Sequence, residues 1–307
     1  MRNPYIAVVG SINLDLVIQC ESLPKAGETL FGSDLTECYG GKGANQAVAA
    51  ARAGSDVLMI GRVGDDSFGA RLRDNLNRED IDCQGVSAVP GPSGFAMIAV
   101  DAQGENSILV APGANAALQP EDVFAAEAHM AECDFVVLQL ECPQETVLAA
   151  IEVAKRNRIP VLLDPAPAPN EFSNKLLEVD WICPNESEAA TLTGRPVSDQ
   201  RSAEAAAIRL HEAGAKHIVM TRSAAGCLFY EGESFKHIAA PEVDCIDSTA
   251  AGDAFAGALS FALAADFGVD EAIEFACTAG ALACTKLGAQ TAIPTRKQIV
   301  ARMELGD

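Results

Sequence analysis

Short apolar runs alternate along this chain with longer amphipathic stretches, and the spacing predicts most elements directly. Tyr5 to Gly10 is apolar and β-branched, the pattern of a buried strand. Asn13 to Gln19 alternates, with Leu14, Leu16 and Ile18 on one face and Asn13, Asp15 and Val17 on the other, which predicts a half-exposed strand. Thr29 to Phe31 and Leu35 to Tyr39 read as further short strands separated by Gly32 and Ser33. Gly43 to Ala53 is an alanine-rich helix stopped by Gly54. Val57 to Val63 predicts a strand, and Ser67 to Glu79 an amphipathic helix. Phe95 to Asp101 and Ser107 to Val110 form a hairpin pattern across Ala102-Gln103-Gly104-Glu105.

The rhythm then becomes strand–helix. Predicted strands are Phe135 to Leu140, Pro160 to Leu163, Val179 to Cys183 and His217 to Thr221, with helices at Gln144 to Arg156 and Arg201 to Glu212. A late hairpin pairs Cys227–Tyr230 with Ser234–Ile238, and helices follow at Gly252–Ala264 and Asp270–Thr285. Repeated strand–helix units predict an α/β fold, a central, mostly parallel, twisted sheet flanked by helices. The early strands do not fit that sheet and are assigned to a small β lid formed by segments near 13–39 and 94–110. No repeat, low-complexity tract or Pro/Gly linker divides the chain, so residues 1–307 are expected to form one α/β unit carrying that lid.

Composition narrows the partners. Lys and Arg number 22 against 43 Asp and Glu, a net charge of −21 that argues against non-specific nucleic-acid binding. An acidic protein that binds a polyphosphate must build a local positive or dipolar site against its own field. The ten cysteines show no Cys-x-x-Cys pair and no zinc spacing, and read as reduced core thiols. The first residues lack a leader pattern, and no apolar run reaches 18 residues, so a cytoplasmic protein without a membrane partner is expected.

Asp247-Ser248-Thr249-Ala250-Ala251-Gly252-Asp253 places small residues directly before a long apolar helix. Small side chains let a phosphate reach the exposed amides of a helix N-terminus, where the macrodipole favours negative charge. A carboxylate there would repel phosphate unless it serves the chemistry, so Asp253 is a candidate general base for an attacking hydroxyl. An N-cap is the structural alternative for Asp253, and in isolation the more frequent one. No Walker A loop is present: Gly41-Lys42 is followed by Gly43 instead of Ser or Thr. Nor is Gly40-Gly41-Lys42-Gly43 a dinucleotide fingerprint, because Gln46 stands where a third glycine is needed, which disfavours a nicotinamide oxidoreductase. Gly40 to Gln46 lies between a strand and a helix; its glycines expose amides, and Asn45 adds an amide side chain. With Asn13 and Asp15 this makes a polar set suited to a polyol, although a turn and a solvated strand face would look alike.

Together these segments resemble the ribokinase family of carbohydrate kinases, the PfkB group, over nearly the whole chain. The likeness rests on Gly10-Ser11-Ile12-Asn13-Leu14-Asp15, Gly40 to Ala47, Leu138-Gln139-Leu140-Glu141, Asp164-Pro165-Ala166-Pro167-Ala168, Pro184-Asn185-Glu186-Ser187-Glu188 and Asp247 to Phe255. The resemblance implies ATP-dependent phosphorylation of a small sugar, with ribose the expected acceptor. It implies sugar contacts from Asn13, Asp15, Gly41, Lys42, Asn45 and Glu141, with Asp253 as base and Ala250, Ala251 and Gly252 as its anion hole. It further implies an ATP site of Asn185, Thr221, Arg222, Ser223, Ala224, Ala225, Gly226, Gly252 and Cys277. Asn185 and Glu188 would act on Mg2+ through water. Asp247, Thr249, Ala283, Lys286, Gly288 and Ala292 would hold an activating K+, mostly through backbone oxygens. Ala250 stands where many family members have glycine, and Ser248 where threonine is commoner; both keep the chemical group needed. Exposed edge strands in the lid suggest pairing into a homodimer. Fructose, a deoxy-sugar acid or a nucleoside are rival acceptors, and a sugar-binding regulator without catalysis is the rival of another class.

Overall fold

The computed structural model describes residues 2–103 and 106–305. Strands form in chain order as β1 (Tyr5–Val9), β2 (Asn13–Gln19), β3 (Leu35–Gly40), β4 (Asp56–Gly64), β5 (Ile81–Val89), β6 (Gly94–Val100) and β7 (Asn106–Ala111). They continue as β8 (Phe135–Leu138), β9 (Val161–Leu163), β10 (Trp181–Ile182), β11 (His217–Thr221), β12 (Cys227–Tyr230) and β13 (Phe235–Ile238). The helices are α1 (Lys42–Ala53), α2 (Ser67–Arg78), α3 (Pro120–Ala125), α4 (Glu127–Met130), α5 (Gln144–Asn157), α6 (Glu186–Thr193), α7 (Gln200–Glu212), α8 (Ala251–Ala264), α9 (Val269–Ala283) and α10 (Arg296–Glu304).

A nine-stranded sheet runs β13-β12-β11-β10-β9-β8-β1-β4-β5. Its pairs are parallel from β5 to β11, while the β11–β12 and β12–β13 pairs are antiparallel, so among the described strands of this sheet β12 runs against the others. Strands covered on both faces need apolar residues throughout, and Ile6 to Val9 and Phe135 to Leu138 supply them, all buried. One face packs α1, α8 and α9 through Val8, Val48, Leu259 and Phe275, and the other packs α5 and α7 through Val9, Val153 and Leu210.

The second sheet has four strands in the order β3-β2-β6-β7 and forms the lid. In it β2 pairs antiparallel with β3 and parallel with β6. Thr29 to Phe31, expected as a strand, is irregular, and Phe31 stands 97% exposed. Three apolar or β-branched residues between glycines and serines offered no partner strand to close a ladder. β2 departs from its half-exposed reading, because Asn13, Leu14 and Asp15 are all buried where the strand leaves the large sheet. The expected lid turn at Ala102 to Glu105 falls partly outside the described residues. β5 and four helices (α3, α4, α6 and α10) went unpredicted; β5 carries Gly85 beside a register shift in its pairing with β4, which broke its alternation.

Candidate active site

Helix α1 and helix α8 are built from small residues, Gly-Ala-Asn-Gln-Ala-Val-Ala-Ala-Ala and Ala-Phe-Ala-Gly-Ala-Leu. Small residues let the two backbones close up. At Gly257 a Cβ would lie 2.5 Å from the Ala49 Cβ and 2.6 Å from the Gln46 carbonyl oxygen. Asp253 lies one turn before Gly257 on the same face of α8, so this contact carries it onto Asn45 and Gln46. Asn45 Nδ2 donates to Asp253 Oδ2 at 2.9 Å, and Gln46 Nε2 donates to Oδ1 at 3.0 Å. The Lys42 ammonium stands 4.0 Å from Oδ1. Asp253 is therefore the third residue of α8 and not its N-cap; that place belongs to Ala250, which has no side-chain hydrogen bond to offer. The capping alternative for Asp253 falls on this geometry.

Both helices begin without a side-chain cap from their own N-cap residue, and their first turns are treated differently. In α1 the Lys42 amide donates to Glu141 Oε2 at 3.0 Å, the Gly43 amide to Ser11 Oγ at 3.3 Å and the Ala44 amide to the Ser11 carbonyl at 2.9 Å. Ser11 Oγ in turn donates to Glu141 Oε2 at 2.6 Å. The chain thus satisfies α1 internally. In α8 the Ala251 amide donates to the Ser248 carbonyl at 3.2 Å, while Gly252 is exposed and a Cβ built on it meets no atom within 4 Å. The amides of Gly252 and Asp253 fall in the first turn, where a helix has no acceptor of its own. Ala250 reaches this turn with φ 58°, a left-handed backbone that aims the loop into the helix.

The lid supplies the opposite wall. Asp15 lies against Gly40, where a Cβ would come 2.0 Å from its Oδ2, and Gly41, at φ 87°, lets the chain pass the Asn13 amide. Asn115 donates to Asn13 Oδ1 at 2.7 Å, leaving the Asn13 amide group as the donor that can face a ligand. Asp15 Oδ1 and Asn45 Oδ1 are buried acceptors without a donor. Burial, then the charges of Glu141 and Asp253, raise the Asp15 carboxyl from the usual range to about 7. Burial alone would lower the Lys42 ammonium, but the carboxylates of Asp253, Asp164, Glu141 and Glu188 outweigh it and hold that amine above its usual value. Lys42 remains 30% exposed, so this corner is open to solvent.

Asn185 and Glu188 cap α6 reciprocally: the Asn185 amide donates to Glu188 Oε2 and the Glu188 amide to Asn185 Oδ1, both at 2.8 Å. Burial raises the Glu188 carboxyl, with Lys42 opposing and Asp253 adding to the shift, which puts this pair in the field of the same cleft. Asn185 bridges to Thr221, which opens a tight loop closed by the Arg222 amide on the Gly226 carbonyl at 2.8 Å. Ser223, Ala224 and Ala225 are exposed on it, and Arg222 pairs with Glu186 at 3.0 Å. Cys277 is the exception among the nucleotide candidates: it is buried on α9 with its sulfur 3.5 Å from that of Cys227.

On the far side of the Ala250 turn, Asp247 Oδ1 accepts from the Thr249 amide and hydroxyl at 2.9 and 2.6 Å, and Oδ2 from the Gly288 amide at 2.8 Å. Burial would raise Asp247, but these donors prevail and its carboxyl sits below the usual range. They join the 245–249 loop to the 284–292 loop, with Ala283 and Ala292 buried and the Lys286 side chain exposed. Among the described residues no cluster of three or more His, Cys, Asp or Glu could hold a metal, so any ion here would rest on carbonyl, hydroxyl and single carboxylate oxygens. Oxygen donors of this kind suit a hard cation.

Sequence reasoning met Ser11, Gln46, Gln139 and Asp164 only inside longer motifs, without a role for any of them, and missed Asn115; all five are buried. Gln46 Nε2 also donates to Asp164 Oδ2 at 2.7 Å, and Gln139 Nε2 donates to Gln46 Oε1 at 2.6 Å. The signal was available, since Gln46 and Gln139 are polar residues inside otherwise apolar or small-residue runs.

No helix among the described residues is long and apolar enough to cross a membrane. Residues 3–296 match the model of the pfkB family carbohydrate kinases. The chain is 42% identical to a ribokinase of Haemophilus influenzae over 301 residues, covering 97% of this chain and 98% of that one. It is 39% identical to a deoxyribokinase of Salmonella typhi over 304 residues, covering 98% and 99%. The structure of an Arabidopsis thaliana ribokinase complexed with ribose and ATP superposes with a TM-score of 0.87 at 28% identity, covering 98% of both chains. A match spanning almost the whole sequence, on a fold whose open α8 terminus meets a buried carboxylate, settles the kinship: this chain belongs to the pfkB family of carbohydrate kinases.

Proposed function

We propose that this sugar kinase transfers the terminal phosphoryl group of ATP to the primary hydroxyl of D-ribose, giving D-ribose 5-phosphate. The observation that carries the reading is the placement of Asp253: a buried carboxylate gripped by two side-chain amides, beside an open helix terminus where a Cβ built on Gly252 meets no atom within 4 Å. Asp253 accepts the hydroxyl proton as the new O–P bond forms and the bond to the ADP oxygen breaks. The amides of Gly252 and Asp253 at the α8 terminus stabilise the charge developing on the phosphoryl oxygens, with Ala250 and Ala251 shaping the turn. Lys42 adds the positive charge that an acidic protein otherwise lacks here.

Asn13, Asp15, Gly41, Asn45 and Glu141 form the acceptor wall. Ribose is favoured by the names of the relatives and by the unpaired acceptors Asp15 Oδ1 and Asn45 Oδ1, which call for hydroxyl donors. The deoxyribokinase relative keeps 2-deoxyribose as the second reading. Thr221 to Gly226 forms the nucleotide wall, with Cys277 on α9 packed against Cys227 at its base. Asn185 and Glu188 would hold Mg2+ through water, since their inner oxygens already cap each other, and the ion supplies charge neutralisation on the phosphates. Asp247, Thr249, Ala283, Lys286, Gly288 and Ala292 would hold K+, stiffening the turn that ends in Ala250. A homodimer through the lid is supported by Leu35, Met97, Ile108, Leu109 and Val110, all exposed there; a single monomeric mass in light scattering would refute it. ATP supply assigns the reaction to the cytoplasm. ADP release measured with ribose, 2-deoxyribose, fructose and adenosine, each with and without potassium, tests the whole reading. Preference for adenosine would overturn the acceptor, and absence of turnover with every sugar would favour a regulator.

A further inference from the structure

Gln46 occupies an unusual position for an amide. It is fully buried, and all of its hydrogen-bonding capacity toward the site is directed at two carboxyl groups from distant parts of the chain. Its Nε2 gives one N–H to Asp253 Oδ1 at 3.0 Å and the other to Asp164 Oδ2 at 2.7 Å, while its Oε1 is fixed by Gln139 Nε2 at 2.6 Å. The Asp253 carboxylate removes the ambiguity of the amide, because it only accepts and so requires the Gln46 nitrogen on its side. The oxygen is then left to face the Gln139 amide. Gln139 stands just past the end of β8 and Asp164 just past the end of β9, so two neighbouring strands of the large sheet aim one side chain of α1 at the first turn of α8.

We propose that Gln46 is a positioning residue for phosphoryl transfer, fixing the rotamer of Asp253 and keeping its Oδ1 hydrogen-bonded as the anion, with Gln139 setting the direction of the amide. The inference rests on Asp253 as the base. A carboxylate held at only one oxygen by Asn45 can swing about its χ2 bond, and misplacement of a reacting group by about 1 Å costs up to ~100-fold in rate. The charged groups facing Asp253 are Lys42 from α1, Asp15 from β2, Asp164 after β9 and Glu188 from α6. All of them remain when Gln46 is replaced, so a fall in kcat at constant acceptor KM isolates the amide.

The test uses Gln46→Met and Gln139→Met in the full chain, beside Asp253→Asn, with kcat, acceptor KM and the melting temperature measured for each. For Gln46→Met we expect kcat to fall ~10- to 100-fold while acceptor KM stays within about threefold. Gln139→Met should show the same pattern at ~3- to 10-fold, and it decides the matter if Gln46→Met does not fold. Loss of stability in both variants with kcat unchanged, or a rise in acceptor KM equal to the fall in kcat, would reduce Gln46 to a structural amide and overturn the proposal. Near-normal turnover of Asp253→Asn would instead overturn the base assignment, which separates the two failures.

Discussion

Asn115 holds the Asn13 side chain at 2.7 Å while also accepting the Ile12 amide at 2.9 Å, so a residue 102 positions away fixes the start of β2. This is where the chain crosses from the large sheet into the lid. Asn115→Ala should leave the Ile12 amide buried and unpaired, at a cost of about 1–3 kcal/mol in stability. It should also free Asn13 to turn away from the acceptor. We expect acceptor KM to rise about tenfold with nucleotide KM unchanged in initial-rate kinetics. An equal rise in both constants would count against a role confined to the lid.

Asp15 gives the acceptor wall a pH response. Its carboxyl is raised to about 7 by burial and by Glu141 and Asp253, so it is largely protonated at pH 6 and ionised at pH 8. Hydroxyl groups donate best to the anion. Acceptor KM should therefore fall as pH rises through 7, and acceptor binding below pH 7 should release protons. Isothermal titration in two buffers of different ionisation enthalpy measures that release, and Asp15→Asn should abolish it.

Two glycines of α8 separate packing from chemistry. Gly252→Ala adds a methyl group in open space, so the melting temperature should hold while kcat drops about tenfold or more through crowding at the free amides. Gly257→Ala drives a methyl group into Ala49 and the Gln46 carbonyl, and should cost about 1–3 kcal/mol in stability as well as rate. Thermal melts beside turnover assays resolve the pair; equal destabilisation by both would contradict the open terminus.

Asp164 makes stability fall with pH. Burial raises its carboxyl to about 8, with Lys42 and the Gln46 hydrogen bond opposing and Glu188 and Asp253 adding. The native state thus binds a proton that the unfolded chain has released above pH ~4, so stability declines from about pH 4 to about pH 8 and levels off beyond. Asp164→Asn lacks that proton. Its melting temperature relative to the parent should climb from pH 5 to about pH 8 and then level off, and a flat difference across that range would exclude the linkage.

The sequence made the parallel sheet legible because Tyr5 to Val9, Phe135 to Leu138 and His217 to Thr221 are apolar runs between amphipathic helices, and these patterns are local. β2 misled for a tertiary reason. Its alternation is real, yet Asn13 and Asp15 are buried because the two sheets meet there. In the site, Asp253 could be picked from its helix start, but its capping and catalytic readings separate only when α1 arrives with Asn45 and Gln46 from some 200 residues away. Ser11, Asn115 and Gln139 stayed hidden because each does its work through a partner about 30 to 130 residues distant, which no window along the chain can contain. The packing of Cys277 against Cys227 is likewise a tertiary fact that no local pattern carries.

All four tethers of the small sheet leave it from one end: Asn13 lies opposite both Gly40 and Gly94, and Phe95 opposite Ala111. Four anchors in a row act as the pin of a door. Such a plate has one easy motion, rotation about that line, and shearing or twisting would have to break several anchors together. Groups near the pin hardly move while the free edge sweeps widely. Asn13 and Gly41 lie on the pin, so a rotation about it would leave both in place while Phe31 and Leu35 at the rim travelled farthest.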